Sequence, residues 1–137
     1  MFNFLLVQHP PNFFLGLIFG LFAGLIIGVE RELRGKAAGI STNSMVIIGS
    51  MLFTFLSATT DPESKTRIAA QIVTGIGFLG AGLIIRDGGT VKNLTTAASV
   101  WFAAAIGMAL GFGYYGIGLL TAVVGVILPR IPQVKMR

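Results

Sequence analysis

At 137 residues, with 54% hydrophobic and only 11% charged side chains, the chain is long enough for one folding unit and too apolar for a soluble domain, whose charged share is about 25%. A net charge of +5 and a pI near 10.3 would point to nucleic acid in a soluble protein. Here the basic residues flank apolar segments and no basic stripe interleaves with aromatics, so nucleic acid is not an expected partner and anionic lipid head groups take its place.

The ten basic and five acidic side chains fall in four short clusters, residues 30–36, 61–67, 86–92 and 130–137. Placing a charge at the centre of a membrane-spanning helix costs about 2.5–3.5 kcal/mol on insertion scales, so a chain that crosses lipid keeps its charges at the ends of its spans. The mean hydropathy of +0.85 agrees. About 20 helical residues cross a hydrocarbon core, and the charge-free intervals supply five such spans.

The first span covers about residues 12–29, after Pro10-Pro11 bars an earlier helix start. Met1–Val7 lacks the basic start of a cleavable signal, so this span is expected to direct its own insertion. The second and third cover about residues 43–60 and 68–85. The long interval after Asn93 is divided by Gly111-Phe112-Gly113-Tyr114-Tyr115-Gly116, which gives a fourth span at about 94–111 and a fifth at about 114–128. With the N-terminus outside, the inner connections hold Arg31, Arg34, Lys36, Arg86, Lys92, Arg130, Lys135 and Arg137, and the outer ones hold Lys65 and Arg67. That bias predicts an N-out, C-in topology. The expected fold is an all-α integral membrane protein, a compact glycine-rich bundle of five transmembrane helices forming a single domain over 1–137.

Small residues predict how the spans pack. Gly16, Gly20, Gly24 and Gly28 recur every four residues along the first span, and Thr95, Ser99, Ala103, Gly107 and Gly111 form a matching row on the fourth. Such stripes let backbones approach closely in lipid. They are expected to meet each other or the third span, which Gly75, Gly77, Gly80, Ala81 and Gly82 leave smooth.

Few residues carry chemistry. Gly75-Ile76-Gly77-Phe78-Leu79-Gly80 and the run from Gly111 match the dinucleotide fingerprint in spacing, but both lack its strand–turn–helix context. His9 has no second ligand at metal spacing, and without Cys or a second His the usual parts of an enzyme are missing. No cofactor is expected. In the inner cluster, Glu30 and Arg34 have the i, i+4 spacing of a helical ion pair, so the first helix can continue beyond the bilayer beside Arg31. Topology anchoring accounts for the basic residues but not for Glu30 and Glu32, which suggest polar contacts with Ser41, Thr42 and Asn43. On the outer side, Arg67, Gln71 and Thr74 share a helix face that is expected to point inward, where their polar groups find partners. Asp61 or Glu63 can pair with Arg67. The same acidic pair is the minimum for a weak, largely hydrated Mg²⁺ site, although an ion-paired loop is the simpler reading.

Four segments carry a family resemblance: Gly28-Val29-Glu30-Arg31-Glu32-Leu33-Arg34, Ala38-Gly39-Ile40-Ser41-Thr42-Asn43, the block from Arg67 to Gly82, and Leu94-Thr95-Thr96-Ala97-Ala98-Ser99-Val100-Trp101 with Ala104-Ala105-Ile106-Gly107-Met108. In order and spacing the chain resembles the MgtC/SapB family of bacterial membrane proteins over about residues 16–128. The resemblance implies a multi-pass inner-membrane protein linked to magnesium homeostasis, acid stress and intracellular survival. It also implies action through other membrane proteins, with the proton-translocating ATP synthase a proposed target. The chain departs from the family pattern at Ser41, where many members have Arg, and at Asn93, where the family has Gly. It also stops after Arg137, where virulence-type members continue into a cytoplasmic domain, so no such domain is expected here.

Three function classes remain. The leading one is a non-enzymatic membrane regulator that contacts other membrane proteins or further copies of itself through Glu30, Arg31, Arg34, Asp61, Arg67, Gln71, Thr74 and Asn93. The second is a small oligomeric channel or transporter for Mg²⁺ or protons, which would lack an acidic residue within any span. A lipid-modifying membrane enzyme comes last.

Overall fold

The computed structural model describes residues 12–61 and 63–132; His9, Pro10, Pro11, Lys135 and Arg137 lie outside them. The described chain forms helices α1 (Asn12–Leu33), α2 (Ile40–Thr60) and α3 (Arg67–Leu83), a two-stranded antiparallel hairpin of β1 (Ile85–Asp87) and β2 (Thr90–Lys92), then α4 (Leu94–Gly111) and α5 (Tyr115–Ile127), which runs on into a 3-10 turn, Leu128–Arg130. Three of the helices, α1, α2 and α4, are long and apolar enough to cross a membrane. Helix α3 has 17 residues, which at 1.5 Å per residue reach about 25 Å against a hydrocarbon core of about 30 Å.

The third span therefore differs from its expected 68–85. It ends at Leu83, with Ile84 already extended and Ile85 in the hairpin. The hairpin forms because Gly88 and Gly89 take φ of +53° and +84°, the left-handed pair of a two-residue primed turn, whose twist matches that of the strands it joins.

Glycine also stops the helices. At the end of α1, Lys36 N–H bonds the Arg31 carbonyl (3.0 Å) and Gly35 N–H the Glu32 carbonyl (2.9 Å), with Gly35 at φ +59°. At the end of α4, Tyr114 N–H bonds Ala109 and Gly113 N–H bonds Leu110, with Gly113 at φ +85°. Both are Schellman closures, in which a left-handed glycine lets the chain turn back and satisfy the last carbonyls.

Helix α2 lies at the centre and packs against α1 and α4 most extensively. The core joins Ala23 and Ile27 of α1, Ile47 and Met51 of α2, Ala103, Ile106 and Leu110 of α4, and Ala122 of α5. A second, smaller cluster of Ile76, Val100 and Ala104 attaches α3 to α4. Large apolar side chains point outward all round, including Phe22, Phe53, Leu120 and Phe78, the last 83% exposed. That inversion suits a molecule whose surroundings are hydrocarbon.

The closest contacts of the two small-residue rows, those of Gly24 and Gly28 on α1 and of Gly107 and Gly111 on α4, are with α2 rather than with each other or α3. A Cβ added at Gly24 would strike Ser44, and one at Gly28 would strike the backbone at Ile40. On the other side of α2, a Cβ at Gly107 would strike the Ile47 carbonyl and Ser50, and one at Gly111 would strike the Met51 carbonyl and Thr54. Helix α2 accepts both rows because Ser44, Ser50 and Thr54 keep it narrow along the two contacts. Gly16 and Gly20 sit more loosely, at ordinary contact distance from Met51 and Ile47 of α2 and from Leu110 of α4. Of the α3 glycines, Gly80 faces Ala97 across the seam with α4, while Gly75, Gly77 and Gly82 meet nothing within 4 Å.

Candidate functional site

The inward face of α1 runs through Ala23, Ile27, Glu30 and Arg31, spaced i, i+4, i+7 and i+8. Its apolar stripe thus ends in a carboxylate and a guanidinium that the bundle encloses, 3% and 1% exposed respectively. Arg31 Nη2 donates to Thr96 Oγ1 at the start of α4 and to the Ala37 carbonyl (3.2 Å). Glu30 Oε1 pairs with Arg34 Nη1 at 3.3 Å and with Arg130 Nε at 3.5 Å, and Arg34 Nη1 also donates to the Pro129 carbonyl at 2.6 Å. Three chain segments far apart in sequence, the end of α1, the start of α4 and the turn after α5, are tied together by these two side chains and their partners.

Glu32 faces the next helix. Its Oε1 accepts the Ile40 backbone N–H at 2.9 Å and so caps α2, whose first amides have no acceptor of their own. Of the two glutamates only Glu32 contacts the start of α2, at Ile40, whereas Glu30 turns to Arg34 and Arg130; Ser41 and Thr42 are exposed. Asn43 Nδ2 instead donates to the Ala38 carbonyl (2.6 Å) and the Gly39 carbonyl (2.9 Å). These bonds hold Ala38 at φ +61°, a left-handed conformation that costs an L-residue about 1–2 kcal/mol. Asn93, half-buried before α4, takes φ +64°. A residue that tolerates this conformation is needed there, and Asn serves as Gly would.

The outer group is arranged differently from its expectation. Arg67, Gln71 and Thr74 are exposed, because α3 turns Ala69, Ile76 and Gly80 inward instead. The small Ala97 and Ala104 of α4 receive that side, and the polar face is left outside. Gln71 lines an otherwise largely apolar groove of about 440 Å³ between α2 and α3, beside Met45, Phe53, Ile68 and Leu79. Asp61 Oδ1 accepts the Ser64 N–H at 3.1 Å, and no ion pair joins Asp61 or Glu63 to Arg67 among the described residues. Among those residues no three His, Asp or Glu side chains gather as a metal-ligand set. Ser99 is half-buried and donates to the Thr96 carbonyl (2.8 Å), and Ala103 is fully enclosed.

Three residues that act here carried no local signal. Thr96 and Arg130 meet α1 only through the tertiary fold. Ser57 joins α2 to α3 by donating to the Lys65 carbonyl (2.7 Å) and accepting the Ile68 N–H (3.2 Å).

Comparison with known proteins adds the context that geometry lacks. The sequence model of the MgtC family matches residues 17–134. The chain is 45% identical over 112 residues to Protein MgtC of Salmonella typhimurium, covering 82% of this chain and 48% of that protein. It is 43% identical over 115 residues to an uncharacterised protein of Synechocystis, covering 83% and 47%, and 48% identical over 91 residues to Protein MgtC of Brucella abortus, covering 66% and 38%. The chain thus spans about half the length of the first two relatives and less of the third. No solved structure matches it.

Proposed function

This chain belongs to the MgtC family, and on that premise we propose that it is a non-enzymatic protein of the bacterial inner membrane that modulates other membrane proteins during adaptation to low magnesium or acid stress. In this reading the ATP synthase would be one such target, and the five helices all cross, the short α3 and α5 through a locally thinned bilayer, with the N-terminus outside and the C-terminus inside. The excess of Lys and Arg at the ends of α1 and α3 and after α5 supports that orientation.

The observation that carries the proposal is Gln71, an exposed amide in a groove that is otherwise largely apolar. In hydrocarbon its donors and acceptor lack the partners that water would give, and a helix from another membrane protein laid against α3 would supply them. Arg67, at the outer end of the same face, would anchor that contact.

Complementation tests this. In a strain lacking its own copy, Gln71→Leu and Arg67→Ala should each abolish the growth advantage at low magnesium or acid pH while the protein reaches the membrane in normal amount. Normal growth with both variants would overturn the reading. Vesicles reconstituted with the purified chain should stay tight to Mg²⁺ and protons; a flux lost on Asp61→Asn would establish a channel instead.

A further inference from the structure

A cavity of about 850 Å³ opens where the end of α1, the start of α4 and the turn after α5 converge. Arg31, Arg34, Lys36 and Arg130 all line it. The carboxylate that offsets them is Glu30, and its Oε1 is already shared between Arg34 and Arg130. Positive charge is therefore in excess within one concave space, where low-dielectric walls strengthen the repulsion between like charges.

Two independent features give that space the donors of an anion site. Helix α4 has 18 residues and begins at the cavity wall, with Thr95 and Thr96 both lining it. No side chain caps this helix, so its first-turn amides and the positive end of its dipole are available to a ligand. The second feature is Arg31. The side chain is 1% exposed, and both of its hydrogen bonds go through Nη2, to Thr96 and Ala37. Its Nη1 has no partner among the described residues, and Arg31 lines the cavity, so an anion there can take that donor.

We infer that this cavity is a binding site for a phosphate-bearing anion. Arg31 Nη1 and the α4 amides would meet its oxygens, the Thr95 hydroxyl would add a donor, and Lys36 and Arg130 would flank it. Phosphate fits better than a single carboxylate because donors converge from a helix end and from several side chains, and because its greater charge matches the excess of cations. The volume leaves room for the remainder of an ester. A phospholipid head group and a free phosphate both carry this chemistry.

The full chain purified in detergent separates the two sources. Inorganic phosphate is added against chloride at equal ionic strength and thermal unfolding is followed; in parallel, native mass spectrometry measures retention of phosphatidylglycerol against phosphatidylcholine. Stabilisation by phosphate supports a soluble ligand, and selective retention of phosphatidylglycerol supports a head group. Either effect should weaken about tenfold in Lys36→Gln, the equivalent of one charge-assisted hydrogen bond. Lys36 is exposed and lines the cavity, so the variant should fold even if Arg31→Gln does not. Arg86→Gln removes an exposed charge on β1, which does not line the cavity, and should leave binding unchanged. The inference is overturned if neither phosphate nor phosphatidylglycerol exceeds its control, or if Lys36→Gln and Arg86→Gln weaken binding equally.

Discussion

Gly28 in α1 and Gly75 in α3 both sit in apolar helices rich in glycine, but their surroundings are opposite. A Cβ added at Gly28 would fall within 3.0 Å of backbone atoms at Ile40 and Gly39, whereas one added at Gly75 would meet nothing within 4 Å. The same contrast separates Gly107, pressed on the Ile47 carbonyl, from Gly82, which is open. In α1 and α4 the missing side chains have already been used to seat two helices on α2. In α3 the smooth side faces outward, next to Gln71 and Thr74. Glycine spacing alone therefore shows that a helix can be approached closely, and only the fold shows whether the approach has been made.

The largest effect expected from this contrast comes at the closed contacts. Gly28→Ala and Gly107→Ala push a methyl group against backbone, which cannot swing aside as a side-chain tip can, and each should cost about 1–3 kcal/mol or more by overpacking. Unfolding of the purified protein by titration with a denaturing detergent measures it. If either variant is as stable as the parent, the closeness of α2 to its neighbours is not what holds the bundle, and the distinction between the two kinds of glycine fails.

A middle-sized effect probes why the α1–α2 junction is more firmly set than the start of α3. Glu32 caps α2 from the preceding helix, while α3 begins after Thr66 with no side-chain cap of its own and relies on Ser57 of α2 to receive the Ile68 N–H. Glu32→Ala should destabilise by about 1 kcal/mol, as loss of a helix cap does. Glu32→Gln should cost less, because its amide oxygen still accepts the Ile40 N–H. Hydrogen exchange at the first amides of α2 should rise in the alanine variant; unchanged protection there would show that Glu32 is not the cap.

Much of this was legible in the residues and some was not, for reasons that follow from the physics. Charge exclusion from hydrocarbon is a local rule, so the clusters at 30–36, 61–67 and 86–92 place the helix ends within a few residues. The hairpin lay in plain view, since Gly88-Gly89 between short strand-forming runs is a two-residue turn signal, but a span length of about 20 residues drew Ile84 and Ile85 into the helix. The partner of the glycine rows was not legible, because α2 meets them with Ser44, Ser50 and Thr54, which carry no glycine signature. The inward face of α3 was misjudged for a related reason. Polar Gln71 and Thr74 looked like the side needing burial, yet the tighter seam comes from Ala69, Ile76 and Gly80 against the alanines of α4. At Glu30 and Arg31 the sequence pointed to the right residues and could not supply their partners, Arg130 and Thr96, which lie 100 and 65 positions away.

The smallest effect on stability should be the most informative about the open side of the molecule. Gly75→Ala and Gly82→Ala add a methyl group into free space, so the isolated protein should change by no more than about 0.5 kcal/mol, as exposed substitutions usually do, and the better helix propensity of alanine could make the sign favourable. Crosslinking in native membranes gives the other half of the answer. If α3 receives a partner helix along this face, the added methyl groups hold the two backbones apart, and the crosslinked complex should diminish while stability stays constant. Phe78, 83% exposed on the same helix, offers a position for a photoreactive probe that leaves Gly75 and Gly82 untouched. Stability and crosslinking that are both indifferent to the two alanines would mean that lipid alone covers α3, and that its glycines, unlike those of α1 and α4, serve no helix contact.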